Sequence, residues 1–332
     1  MKTLVSFGEI MLRLSPVGKN RLFQGDSFGY CFGGSEANVA VLCSELGMDS
    51  VYVTKLPDNQ IGSAAKTELQ KYGVDISEIV TGVGRLGTYY YEKGAGIRPA
   101  VCVYDRAYSA FSLSKREEYD WKSILDRADA FHFSGITPAL SDELAAACLD
   151  GCLYAKSNGI KVFCDLNYRS KLWEHEKAYY AMRKLLPNVD VFISSVYQAN
   201  DIFGLGVDVS DTEKACETAA KLLYEAFGFE VVALTVRKTY SADKNGFYGM
   251  IYKDNTAYFS EKYETNIVDR VGSGDAFDGA LIYAYLNGED EQKAVELAAA
   301  AAALKHGVEG DFLISNIKEI EDAVDHSGIT QR

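Results

Sequence analysis

Short continuous apolar runs alternate along this chain with longer stretches in which apolar residues recur every three or four positions. The runs at 4–7, 50–54, 130–133, 161–165, 189–194 and 230–236 are bounded by glycine or polar residues and read as strands buried on both faces. Helical spacing marks 36–46, 60–72, 141–158, 175–187, 196–203 and 211–227, with Gly47 and Gly73 placed as stops after the first two. Strand–helix alternation from residue 130 onward predicts an α/β fold, a doubly wound, mostly parallel sheet with helices on both faces. Ligands of such sheets bind beyond the carboxyl ends of the strands. Two more strands, 246–251 and 256–259, precede a loop that narrows to Gly272-Ser273-Gly274-Asp275 and opens a helix ending at Asn287-Gly288.

Two segments break this rhythm. Residues 11–32 alternate in polarity around Gly18, Gly25 and Gly29, and 86–112 is a tyrosine- and valine-rich stretch with a central glycine turn. Together they predict a small sheet apart from the main one. The expectation is therefore one domain over 1–332 with a β lid from about 11–32 and 86–112. Repeats and proline-rich linkers are missing, and the five prolines are dispersed. The alanine-rich stretch 294–307 reads as a close-packing helix face that would also let a flat ligand approach.

Charge narrows the partners. Acids outnumber Lys and Arg 47 to 34, a formal charge of −13, which argues against nucleic acid or an anionic membrane surface. No run of about 18 apolar residues suggests a membrane span. The start, MKTLVSFGEI, reads as a strand rather than a signal peptide. Seven scattered cysteines without a CxxC pair and four dispersed histidines give no metal-ligand spacing, and a reduced, cytoplasmic protein is the expectation.

The glycine loop is the candidate for chemistry. Small residues before a helix leave its first N–H groups open, and with the helix dipole they favour an anion. Asp275, in the first turn, is either a helix cap or a base beside that anion. In the second reading the amides stabilise a transferring phosphate while the carboxylate takes the proton of an attacking hydroxyl.

Two stretches settle the choice by resemblance: Gly33-Gly34-Ser35-Glu36-Ala37-Asn38-Val39-Ala40 and Asp269-Arg270-Val271-Gly272-Ser273-Gly274-Asp275-Ala276-Phe277. They resemble the two signatures of the ribokinase (phosphofructokinase-B) sugar kinases, over essentially the full length. The resemblance implies ATP-dependent phosphate transfer to a sugar hydroxyl, with Mg²⁺ offsetting the nucleotide charge. It assigns Asp275 as base, Gly272, Ser273 and Gly274 as anion hole, and Gly33, Gly34 and Asn38 as sugar contacts. Thr235, Arg237, Ala302, Lys305 and His306 would flank ATP, as would Ser195. Within the family the chain is most similar to 2-keto-3-deoxygluconate kinases, through Arg98 to Ser109, Asp165 to Trp173 and Lys305 to Phe312. That likeness assigns Tyr104, Arg106 and Arg169 to the acid end of the substrate, and an Arg fork does pair bidentately with a carboxylate. Of the alternating Tyr89, Tyr90 and Tyr91, Tyr90 is taken as the substrate contact.

One departure from the family stands out. Its usual Asn-x-x-Glu after the strand ending here at Ser194, which organises water and Mg²⁺, is in this chain Ser195-Val196-Tyr197-Gln198, with Asp201 one turn later as a compensating carboxylate. The metal ligands are therefore unknown at this stage. A kinase of a neutral sugar such as fructose or ribose, and a non-catalytic sugar- or nucleotide-binding regulator, remain alternatives. A monovalent cation near Asp269 and a homo-oligomer formed through the lid, whose sheet edges are open, complete the expectations.

Overall fold

The computed structural model describes residues 1–325. Its central sheet has nine strands. Six run parallel in the spatial order Asp49–Val53, Thr3–Phe7, Ala130–Ser134, Lys161–Asp165, Val191–Ser195 and Val231–Thr239. Lys244–Lys253 follows antiparallel and pairs in turn with Thr256–Phe259 and Tyr263–Asn266.

Side-chain alternation divides the core in two. Leu4, Ala130, Phe163, Ile193 and Ala233 face the helices Ser35–Glu45, Ser273–Asn287 and Glu291–Lys305. Val5, Phe131, Cys164, Phe192 and Leu234 face Asp142–Ser157, His175–Leu185, Val196–Phe203 and Thr212–Phe227. Burial on both faces is why these strands read as unbroken apolar runs. The chain leaves Thr3–Phe7 toward Asp49–Val53 on one side and returns as Ala130–Ser134 on the other. That reversal opens a crevice at the carboxyl ends of the strands.

A second sheet orders Phe28–Gly33, Met11–Pro16, Thr88–Glu92 and Val101–Asp105, antiparallel at both outer pairings and parallel at the central one. Alternation turns Tyr89 and Tyr91 inward with Met11. Tyr90 lies on the other face, against the rings of Phe28 at 6.1 Å and Phe23 at 6.2 Å, so it is not the inward tyrosine of the three. Several short elements were not expected: the pair Lys55–Pro57 and Val80–Gly82, strand Tyr263–Asn266, and helices Trp121–Ile124, Ile136–Leu140 and Ile317–Val324. All but Ile317–Val324 have five residues or fewer, too few for periodicity to reveal. The alanine-rich helix begins at Glu291, before the expected 294, because Asp290 caps it by accepting from the Lys293 amide at 2.8 Å.

The two sheets meet through a buried guanidinium. Arg13, on the small sheet and only 1% exposed, donates to Asp269 Oδ2 at 2.6 Å and to Asp311 Oδ1 at 2.9 Å. The Tyr89 hydroxyl donates to the other Asp311 oxygen, and the Tyr91 ring lies 4.3 Å from the Arg13 guanidinium carbon. Asp269 also accepts from the amides of Val271 at 3.2 Å and Gly310 at 3.3 Å. Arg13→Met would leave two buried carboxylates without their cation, and the expected cost is about 3–5 kcal/mol. Urea denaturation checks it; a loss below about 1 kcal/mol would show that the network is not holding the sheets together.

Candidate active site

A cavity of about 780 Å³ opens at the carboxyl ends of the parallel strands, under the small sheet. Asp275 sits in it, on the first turn of Ser273–Asn287. Its two oxygens accept from Ser35 Oγ at 2.7 Å and Asn38 Nδ2 at 2.5 Å. Both donors lie on Ser35–Glu45, and Asn167 Nδ2 in turn donates to Ser35 Oγ at 2.9 Å. Asp275 is therefore not a helix cap; its carboxylate is held by the neighbouring helix. Close helix packing makes this reach possible, since a Cβ on Gly279 would lie 3.0 Å from Leu42. Burial raises the Asp275 pKa from its ordinary value, and the Ser35 and Asn38 hydrogen bonds work against that rise.

The glycine loop explains itself sterically. Gly272 caps the helix at φ 84°, in the left-handed region, and a Cβ there would meet the Asp311 carbonyl oxygen at 2.1 Å. Gly274, by contrast, faces open space, so an anion can come close to the first amides of the helix.

Acids and bases are arranged differently around this point. Oxygens of Asp165, Asp275 and Asp278 lie within 4.8 Å of one another, the one such group of possible cation ligands among the described residues. Asp278 Oδ2 is buried and accepts no hydrogen bond, so the group suits a cation. Without one, burial and the neighbouring carboxylates push Asp165 up to about 7 and Asp278 up as well. Asp278 follows Asp275 by three residues, one helical turn, and that spacing was the available signal for it.

Arg169, Arg237 and Arg270 line the same cavity, and no carboxylate pairs with any of them among the described residues. Arg237 Nη2 donates to Ser273 Oγ at 2.8 Å, while its Nε is buried without a partner. Burial, then the Arg270 and Arg169 charges, push Arg237 down to about 10. Arg270 was read only as part of a motif, not as a site residue.

Other expected residues separate into two groups. Gly34, Asn38, Tyr104, Ser195 and Thr235 line the cavity. Arg106 does too, but it is buried and donates from Nε to Glu9 Oε2 at 2.9 Å, with Nη2 on the same oxygen. Ser195 Oγ caps Val196–Phe203 by accepting from the Gln198 amide at 3.2 Å, and Gln198 Nε2 donates to the Tyr168 carbonyl oxygen at 3.1 Å.

Gly33, Tyr90, Ala302, Lys305 and His306 do not line the cavity. Gly33 backs against Asp311, and Ala302 is wholly buried. Lys305 is wholly buried and donates to the Val308 carbonyl oxygen at 2.9 Å. His306, also buried, shares a hydrogen bond of 2.8 Å with the Ala302 carbonyl oxygen. The helix face that carries them packs into the core, which is the close-packing role that its alanines suit. Asp201 is exposed beside His175 and outside the cavity, so it does not replace the missing glutamate. Asp269, expected beside a monovalent cation, already holds Arg13 and two amides.

Gly272→Ala is expected to destabilise the fold by about 1–3 kcal/mol, through left-handed strain and the collision with Asp311. A thermal melt reads this as a lowered midpoint; an unchanged midpoint would mean that the loop relaxes freely.

The family model described as "pfkB family carbohydrate kinase" matches residues 1–315. A 2-dehydro-3-deoxygalactonokinase of Haloferax volcanii is 36% identical over 318 residues, covering 96% of this chain and 95% of the relative. A 2-dehydro-3-deoxygluconokinase of Thermoproteus tenax is 29% identical over 317 residues, covering 94% and 90%. Among solved structures, a 2-dehydro-3-deoxygluconokinase of Thermotoga maritima superposes with a TM-score of 0.95 at 45% identity, covering 98% of each chain. The match to the family model spans both signatures, the glycine loop and the small sheet, and with it the chain belongs to the PfkB family of carbohydrate kinases.

Proposed function

We propose that this kinase transfers the γ-phosphate of ATP to a hydroxyl of a 2-keto-3-deoxy sugar acid, of which 2-keto-3-deoxygluconate, phosphorylated at its 6-hydroxyl, is the first choice. The observation that carries the reading is the guanidinium of Arg169, which has no ion-pair partner among the described residues and lies in the same cavity as Asp275. A carboxylate is the substrate group that such a fork pairs with best, and a neutral sugar offers none. Tyr104 stands beside it at the cavity wall. The relatives named for 2-dehydro-3-deoxy sugar acids support the same substrate class.

Asp275 accepts the proton of the attacking hydroxyl. Its two hydrogen bonds come from neutral donors, so no ion pair removes its basicity. The helix amides behind Gly272 and Gly274 face the phosphate and stabilise its charge. Asp165 and Asp278 are the carboxylates that would hold Mg²⁺, and Mg²⁺ offsets the charge of the nucleotide. The small sheet acts as a lid, and Tyr89 and Tyr91 beneath it keep water from the acceptor. Arg106 serves the acid end indirectly, through the Glu9 pair that fixes the strand under Tyr104. A second copy of the chain pairs lid to lid: both edges of the small sheet are open, and Tyr30, Val101 and Val103 are exposed there.

The test is turnover of 2-keto-3-deoxygluconate, fructose and ribose by the wild type and by Arg169→Met, followed as ADP release. The sugar acid alone should turn over well. Arg169→Met should raise its KM by about 10–100-fold, with the KM for ATP changed less than about threefold. Equal use of the neutral sugars, or an Arg169→Met enzyme with wild-type KM, would remove the carboxylate assignment.

A further inference from the structure

Two of the cavity arginines have no carboxylate to hold and no acid end of a substrate to account for them. Arg237 projects from strand Val231–Thr239 and reaches Ser273 Oγ with one Nη at 2.8 Å. Its Nε is buried and donates to nothing. Arg270 lies two residues before Gly272, on the loop that leads into the helix, and lines the same cavity without a side-chain partner among the described residues. Like charges crowded together in a chain of net charge −13 are unfavourable unless an anion joins them. The anion they face is the one that the Gly272–Gly274 amides also face.

We infer that Arg237 and Arg270 form a two-arginine clamp on the phosphoryl group in transit, and that this clamp replaces the carboxylate-organised charge compensation lost with Ser195 and Gln198. The inference rests on the kinase reading above. In the step, the acceptor hydroxyl oxygen bonds to the γ-phosphorus and the bond to the β–γ bridging oxygen breaks. ADP carries that electron pair away, and the hydroxyl proton goes to the Asp275 carboxylate. Charge grows on the bridging and equatorial oxygens, and guanidiniums placed there lower the barrier without binding the ground state more tightly. Gln198 cannot supply a metal-organising charge because its amide is neutral and already donates to Tyr168. Arg237 is oriented by Ser273, so the clamp and the anion hole move as one piece.

The variants are Arg270→Met and Arg237→Met, made in the full chain and checked for unchanged melting. Arg270→Met is the one at a half-buried loop position, and it keeps the test alive if Arg237→Met fails to fold. Each is expected to lower kcat by about 10²-fold or more while the KM values for ATP and the sugar acid shift by less than about threefold. In parallel, calorimetry compares ADP–Mg²⁺ with ADP–Mg²⁺ plus aluminium fluoride, which mimics the phosphoryl group in transit rather than the bound γ-phosphate. The wild type should bind the fluoride complex more tightly than ADP, and the variants should lose that gain while keeping their affinity for ADP.

A kcat within about threefold of wild type would overturn the clamp, as would an equal loss of ADP affinity. A wild type that gains nothing from aluminium fluoride would overturn it too. If the wild type ignores every sugar acid yet the fluoride gain disappears in both variants, the clamp stands and only the substrate assignment falls.

Discussion

Everything near the cavity depends on the Arg13 guanidinium. It is buried between Asp269 and Asp311, so three parts of the chain far apart in sequence are held at one point. Asp269 starts the loop that leads to the glycines, and its carboxylate also takes the amides of Val271 and Gly310. Asp311 presents its carboxylate to Arg13 and Tyr89, and its carbonyl oxygen sits where a Cβ on Gly272 would have to go. The small sheet, the anion-binding loop and the segment after the last long helix thus share one buried ionic joint. A buried pair of this kind is weak evidence for extra stability but strong evidence that removing one member is costly. Its value here is positional: the small sheet cannot shift without disturbing the Gly272–Gly274 loop.

Charge in the cavity runs opposite to charge in the chain. The protein carries a formal −13, yet three arginines with no ion-pair partner among the described residues line the cavity where an anionic nucleotide and an anionic sugar acid would meet. The carboxylates there are handled in two ways. Asp275 is hydrogen-bonded by neutral Ser35 and Asn38, which orient it without neutralising it. Asp165 and Asp278 crowd each other and Asp275, and burial with that crowding raises the pKa of both. The proposed base, anion hole and cation site thus share one cavity without an ion pair between them.

Much of this was legible in the sequence, and the reasons are specific. The parallel sheet was visible because strands buried on both faces are largely apolar, as 161–165 and 189–194 are between their polar ends, and because they alternate with helical segments. Gly272 and Asp275 were visible because a left-handed cap and a first-turn acid leave a local mark. Tyr90 was misjudged because alternation says only that neighbours face opposite ways, not which face is inward. Lys305 and His306 were assigned to the nucleotide by resemblance, which says nothing of burial; here the last turn dips into the core and Lys305 is held by the Val308 carbonyl. Arg13 escaped notice, and Asp311 and Arg270 were seen only inside motifs, since the Arg13 partners lie hundreds of residues away and Arg270 has no side-chain partner among the described residues to mark it.

The central claim is that a carboxylate held by Ser35 and Asn38 takes the acceptor's proton while the cationic loop holds the phosphate. Asp275→Asn tests it most directly, because the amide keeps the size of the side chain and removes only its basicity. Calorimetry of ATP–Mg²⁺ and 2-keto-3-deoxygluconate binding, set beside single-turnover transfer, is the measurement. The account predicts binding of both substrates within a few-fold of wild type and transfer slowed by about 10²–10⁴-fold. Transfer at near the wild-type rate would contradict it and move the base elsewhere in the cavity.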